Sequence, residues 1–389
     1  MLTSPIESAV WNYPTEIRFG VGRREELDHI LDALGSCRPL IVTDKGIRSL
    51  PFFEGVLTKL ESSGKMIHTY DRVLPDPTET DVDNVASTIN EHRADAVVVI
   101  GGGSVIDAGK VGTLLHSQDI RFRQYTEDNK AKVDKLIPII AMPTTSGTGS
   151  EVGRAAAILI PDEQRKAIVF NPQMMPKSVI LDPEVTVGLP PNLTAWTGFD
   201  ALSHNLEALC AKGNHSIADG IATEAIRLLL SALPNVYRNG KDLKFRAQMQ
   251  VAATMGGCAF QKGLGAIHAF SHVIGARYKT HHGLANAVLM PYVLEYNRPM
   301  IDGLIARLSG YIGLGTDYSA FLLKLLALRA DLGIPNTLAD LGVTAGDLHA
   351  IAIDAVKDSC AQGNPRDINV ENALQILQAA LSGHLGKLK

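Results

Sequence analysis

No apolar run in the 389 residues approaches the roughly 18 that a membrane-spanning helix needs. Basic charge is not in excess either. The 37 Lys and Arg stand against 41 Asp and Glu, and a net charge of −4 gives no electrostatic footprint for nucleic acid. Cysteine is scarce: Cys37, Cys210, Cys258 and Cys360 lie far apart with no CxxC pair. That excludes a disulfide framework and a cysteine zinc site, and reads as reduced thiols in a cytoplasmic protein. The opening segment, MLTSPIESAVWNYPTEI, has neither the basic start nor the apolar core of a signal peptide. Low-complexity stretches and internal repeats are missing. With 46% hydrophobic residues and balanced charge the chain is not disordered, and its length suggests about two or three domains. Against these absences histidine is concentrated: six of 12 fall between His204 and His282.

Up to about Pro190, short β-branched runs alternate with amphipathic stretches: PLIVTD, PFFEGVLTKLESSG, KMIHTYDRV, TETDVDNVASTINEHR, ADAVVVIGGGS and LIPIIAMPTT. This alternation predicts a mainly parallel α/β sheet. AAAILIPDEQRKAIVF adds a hairpin turning at Pro161 to Gln164, and SVILDP one more strand. After VGLPPNLTAW the apolar residues recur at helical spacing to the end, as in TEAIRLLLSALPNVY and VENALQILQAALSG. The expected organisation is an α/β domain over 1–188 and an all-helical domain over 189–389.

In ADAVVVIGGGSVIDAGK a buried strand ends in Gly101, Gly102, Gly103 and Ser104, and a helix follows directly. Glycines let backbone N–H groups approach an anion, and the helix N-terminus adds partial positive charge, so the segment suits a diphosphate. A plain strand-to-helix turn is the alternative. The other glycine pair, Phe19-Gly20-Val21-Gly22, does not sit between a clear strand and helix. Asp44 ends PLIVTD, where a carboxylate either accepts from ribose hydroxyls and repels a 2′-phosphate, favouring NAD over NADP, or caps the next helix. AMPTTSGTGSE leaves its strand with Thr144, Thr145 and Thr148 among glycines, a loop suited to a nucleotide.

In GFDALSHNLEA, Asp200 and His204 are four residues apart and share a helix face; AIHAFSH repeats the spacing with His268 and His272, and His281 and His282 follow. Imidazole and carboxylate together suit a divalent transition metal. If one helix ran on from His268, fourteen residues would return His282 to its face and leave His281 pointing away, whereas a break near Gly275 or Thr280 would void that phase.

These segments together, IVTDK, LPDPT, GGGSVIDAGK, PTTSGTGSE, GFDALSHNLEA and IHAFSHVIGARYKTHHGLANAVLMPYVLEYN, resemble the iron-dependent (group III) alcohol dehydrogenases, the family of the lactaldehyde and 1,3-propanediol oxidoreductases. The resemblance spans nearly the whole chain. It implies a Rossmann-like dinucleotide-binding domain followed by a helical one, the dehydroquinate synthase-like fold. It also implies a divalent metal, Fe2+ ahead of Zn2+, on Asp200, His204, His268 and His282. Carried over residue by residue, Asp44 would bind the adenosine ribose, Gly102, Gly103 and Ser104 the NAD diphosphate, Thr144, Thr145 and Thr148 the nucleotide, and Lys166 the cofactor ribose. His272 would lie beside the metal as a proton relay. The implied substrate is a short alcohol, diol, hydroxy acid or aldehyde, and the implied assembly a homodimer.

Three positions depart from the family pattern: Asp76 replaces the usual asparagine of LPDPT, and Arg154 and Arg277 stand where relatives are usually neutral. Either arginine is a surface ion pair or packed stem, or it binds a substrate carboxylate such as that of succinic semialdehyde. Rival functions are another reaction of the superfamily (a zinc polyol dehydrogenase, a maleylacetate reductase or a dehydroquinate synthase) and a non-catalytic nucleotide- and metal-binding protein. The complete ligand set argues against the last.

Overall fold

The computed structural model of the chain describes Tyr13, residues 15–128, Val133 and residues 135–386; most of the segment read for signal-peptide character lies outside them. Among the described residues eight strands are formed: β1 (Glu16–Phe19), β2 (Pro39–Val42), β3 (His68–Tyr70), β4 (Ala96–Gly101), β5 (Ile139–Pro143), β6 (Ala155–Ile160), β7 (Arg165–Phe170) and β8 (Ser178–Leu181). Six of them make one parallel sheet in the order β1-β8-β5-β4-β2-β3, and β6 and β7 form the separate antiparallel hairpin. The helices of this half are α1 (Leu27–Ala33), α2 (Lys45–Arg48), α3 (Pro51–Ser62), α4 (Glu79–His92), α5 (Gly103–Gln118) and α6 (Phe122–Asp128).

The continuous apolar strands follow from burial on both faces. In β4, Val97 and Val99 pack with Val82 and Val85 of α4 and Val111 of α5, while Ala96, Val98 and Ile100 meet Leu31 of α1 and Phe53 and Val56 of α3. Alternate side chains thus feed two cores. One expectation needs correction. Phe19-Gly20-Val21-Gly22 does follow a strand, β1, and precedes a short 3-10 turn, Arg23–Glu26, running into α1. This strand is at the sheet edge and largely exposed, so it lacks the apolar run that marks a buried strand.

From α7 (Pro191–Cys210) onward the described chain is helical: α8 (Ser216–Arg238), α9 (Leu243–Ala259), α10 (Ala266–Tyr278), α11 (His282–Tyr311), α12 (Tyr318–Asp331), α13 (Leu348–Lys357) and α14 (Val370–Ser382). These helices share one apolar core, with Phe199, Leu229, Phe270, Tyr292 and Ile351 at its centre. α9 ties this half to the C-terminal ends of the strands. Gln250 Nε2 donates to the carbonyls of Pro143 and Asp182, both at 3.3 Å, and Thr254 Oγ1 donates to the buried Glu151 at 2.7 Å.

At that contact two backbones touch. Gly149 has φ +63°, in the left-handed region, and a Cβ at Gly257 of α9 would stand 2.4 Å from the Gly149 carbonyl oxygen. Gly257→Ala should therefore destabilise the protein by about 2 kcal/mol or more. Gly220→Ala, on an exposed stretch of α8 with no atom near its Cβ position, should stabilise it by up to about 1 kcal/mol. Urea unfolding of the two variants checks both signs.

Candidate active site

α7 is a 20-residue helix begun by Pro191 and buried along most of its length, and one turn of it presents Asp200 and His204 side by side. α10 brings His268. Its first-turn N–H groups have no helical partner and are met from outside: Ala266 N donates to Asn364 Oδ1 at 3.2 Å and Ile267 N to Glu207 Oε1 at 2.6 Å. The other oxygen of Glu207 lies 2.6 Å from His268 Nδ1. One buried carboxylate thus caps the helix and turns the imidazole so that Nε2 faces Asp200.

α10 does not run on to His282. Lys279, at φ 54°, ends it, and α11 starts afresh at His282, so the single-helix phase expectation does not hold. His282 converges by helix crossing instead. Gly283 lies so tightly against α7 that a Cβ there would stand 2.1 Å from the Trp196 carbonyl oxygen. His281 packs its ring against Trp196 at 5.0 Å, and His215 caps α8 by accepting from Ala218 N at 3.2 Å.

Asp200 Oδ1 is the hub. His282 Nε2 lies 3.5 Å from it, His204 Nδ1 3.7 Å and His268 Nε2 3.9 Å. Asn286 Nδ2 donates to the same oxygen at 2.9 Å. His204 Nδ1 and His268 Nε2 are buried and have no hydrogen-bond partner among the described residues. Burial, and then neighbouring imidazoles, holds His268 well below its ordinary pKa; burial and His268 do the same to His282. The set is thus two neutral imidazoles, His268 and His282, a third imidazole and a carboxylate, with the His204 and His268 nitrogens unsatisfied among the described residues: a donor set that fits a divalent cation. His272 stands beside it, its ring stacked on His282 at 5.3 Å, but its Nδ1 turns away to Asp358 Oδ2 at 2.9 Å.

The residues expected around a dinucleotide collect at the C-terminal edge of adjacent strands β2, β4 and β5. Gly102 caps α5, whose first residues are Gly103 and Ser104. The PTTSGTGSE loop faces them: a Cβ at Gly102 would meet the Thr145 side chain at 3.2 Å, and one at Gly103 would run into Thr148 at 2.4 Å. Thr144 is buried beneath, its N–H bonded to the Gly101 carbonyl at 3.0 Å. On the other side of Gly147 the loop reaches the histidines, since a Cβ there would lie 3.3 Å from Asp200 Oδ2. Asp44 Oδ1 caps α2 through Ile47 N at 2.9 Å, and Oδ2 has no partner among the described residues. Lys166 Nζ is paired with Asp76 Oδ1 at 2.5 Å, and Asp76 N donates to Ser104 Oγ at 3.3 Å. Asp76 has φ 53°, a conformation that Asp and Asn both tolerate, so the departure from asparagine leaves the backbone unchanged.

Several working residues escape sequence reading. Glu207 lies seven residues from Asp200, on the same face of α7, a spacing that could have flagged it. Asp358, 86 residues beyond His272, has no such signal. Lys110 of the glycine-loop helix is fully buried and donates to Ser150 Oγ and the Ala155 carbonyl, both at 2.6 Å. It pins the hydroxyl loop and does not point at a phosphate. Arg277 is ion-paired with Asp354 at 2.5 Å, and Arg154 stacks over Phe170 at 5.4 Å. Glu207→Gln, which keeps the shape but alters the partner of His268, should weaken divalent metal affinity about 10- to 100-fold. Metal content after dialysis against graded chelator measures it.

Two family models cover the chain: "Iron-containing alcohol dehydrogenase" matches residues 14–183, and "Fe-containing alcohol dehydrogenase family, C-terminal" matches residues 194–381. Among curated relatives, the NAD-dependent methanol dehydrogenase of Bacillus methanolicus is 34% identical over 93% of this chain and 97% of its own length. The 4-hydroxybutyrate dehydrogenase of Cupriavidus necator is 34% identical over 95% and 99%. A solved 1,3-propanediol oxidoreductase superposes with a TM-score of 0.90 at 32% identity, covering 96% of this chain and all of that one. With both halves matched and relatives aligned end to end, the chain belongs to the iron-containing alcohol dehydrogenase family and is an oxidoreductase acting on alcohols.

Proposed function

We propose that the protein is an NAD-dependent dehydrogenase of short primary alcohols and diols, and equally a reductase of their aldehydes, with one divalent metal held by Asp200, His204, His268 and His282. The convergence of three imidazole nitrogens on Asp200 Oδ1 within 3.9 Å carries this reading. The family description favours iron over zinc. Bound there, the metal supplies Lewis acidity toward a substrate oxygen, and NAD supplies the hydride acceptor.

The chain's own residues do the rest. Gly102, Gly103 and Ser104 present backbone N–H groups and the α5 N-terminus to the cofactor diphosphate. Thr144, Thr145 and Thr148 close over the nucleotide from the facing loop, Lys166 bonds the cofactor ribose, and Asp44 accepts from the adenosine ribose through Oδ2, the oxygen that does not cap α2. His272 takes the alcohol proton during oxidation and returns one during reduction. Residues 1–188 form the cofactor domain and 189–389 the metal domain. Because Arg277 is neutralised by Asp354 and Arg154 lies over Phe170, a neutral substrate is favoured over a semialdehyde carboxylate. Four free thiols support a cytoplasmic setting, and Ile17, Phe19 and Val21, exposed along the edge strand and the turn after it, support a homodimer. No helix among the described residues is long and apolar enough to cross a membrane.

Nicotinamide absorbance over a panel of alcohols, diols, hydroxy acids and aldehydes, on anaerobically purified and metal-analysed protein, tests the proposal. Absence of turnover at full metal occupancy would return the non-catalytic reading. Asp44→Ser, which keeps a capping oxygen and removes the charge, should raise kcat/KM for NADP relative to NAD about tenfold or more. His272→Ala should retain its metal and lower kcat by about a hundredfold or more; loss of metal would make His272 a ligand.

A further inference from the structure

We infer that Asp358 is the positioning residue for His272: it accepts the Nδ1 proton and so presents Nε2, in one fixed tautomer, as the nitrogen that exchanges a proton with the substrate. The inference rests on the reading of His272 as the proton relay.

Four observations carry it. The Nδ1 to Oδ2 separation is 2.9 Å, and both side chains are nearly buried, at 11% and 15% exposure. Asp358 cannot swing freely, because its other oxygen accepts from Cys360 N at 2.8 Å and caps the 3-10 turn Ser359–Gly363. The imidazole is held on its face by the stacked ring of His282, with an interplanar angle of 15°. Finally, His268 and His272 are four residues apart on one helix face, yet His268 Nε2 lies 3.9 Å from Asp200 Oδ1 whereas His272 Nδ1 is bonded to Asp358. Two neighbouring imidazoles thus receive different carboxylate partners on Nδ1, Glu207 for His268 and Asp358 for His272.

The chemistry asks for this. Oxidation of a primary alcohol breaks the C–H bond, whose electron pair leaves with the hydrogen to the nicotinamide. It also breaks the O–H bond, whose proton goes to Nε2 and from there to water while the oxygen keeps the electrons and forms the carbonyl. An imidazole that accepts at Nε2 must carry its own proton on Nδ1, and a carboxylate acceptor there both selects that tautomer and stabilises the imidazolium that forms.

Asp358→Asn, Asp358→Ala, His272→Ala and the double variant His272→Ala/Asp358→Asn test it on metal-loaded enzyme, each with metal content and unfolding midpoint measured. Both Asp358 variants are expected to keep one metal per chain and an unchanged KM for NAD, and to lower kcat about 10- to 100-fold. In the His272→Ala background, Asp358→Asn is expected to change kcat less than twofold, which a merely structural role would not produce. If His272→Ala itself leaves kcat unchanged, the relay reading fails and this inference with it. If His272→Ala is slow but Asp358→Asn matches the parent, or the two losses multiply, the positioning role alone is overturned. A second metal per chain, lost in both Asp358 variants, would instead make His272, Asp358 and Cys360 a ligand cluster and overturn the inference as well.

Discussion

Asp200 is 3% exposed, and three imidazole nitrogens and one amide stand within 4 Å of one of its oxygens. A buried carboxylate needs compensating charge, and burial keeps His268 and His282 neutral, so none comes from them. Four side chains able to bind a cation are held together, with the Asn286 amide donating to Asp200 Oδ1 from within the group. Three helices hold this arrangement. α7 supplies two members from adjacent turns, Glu207 seats the start of α10, and the glycine after His282 lets α11 press against α7.

The same arrangement depends on one loop that touches both halves. The segment from Thr144 to Gly149 lies on the glycine turn at Gly102 and Gly103, on Asp200 at Gly147, and on α9 at Gly149. The glycine turn and the Asp200 cluster, built on different halves of the chain, keep a fixed separation only if something rigid spans them. Here the span is a short, glycine-rich stretch anchored from below by the buried Lys110 and from above by Thr254 through the neighbouring Glu151. The close backbone contact with Gly257 leaves it little room to shift.

Carboxylates behind histidines recur with different results. Glu207 is buried enough for desolvation to push its carboxyl up to about 7, and it orients a ring that faces Asp200. For Asp358 burial acts in the same direction but is outweighed by the bond from His272 and by backbone N–H, and its carboxyl is held below the usual range. It therefore stays anionic beside a ring that faces elsewhere. Identical helix spacing in the sequence thus ends in two surroundings, with a different distant acid at each Nδ1.

Patterns of local origin were legible in the residues themselves. Continuous apolar runs marked the four inner strands β2, β4, β5 and β8, because a strand buried on both faces must be apolar throughout, and alternation with turn chemistry marked the hairpin. The one-turn spacing put Asp200 beside His204, and the glycine turn announced the start of α5. The edge strand β1 was illegible because, being short and largely exposed, it has no continuous apolar run. Tertiary structure alone decided that His282 joins the cluster across a broken helix, that His272 does not face Asp200, that Lys110 is buried, and that Glu207 and Asp358 stand behind the imidazoles. Each of these depends on the crossing of elements far apart in the chain. Side-chain spacing encodes which face of a helix a residue occupies, whereas packing sets what that face meets.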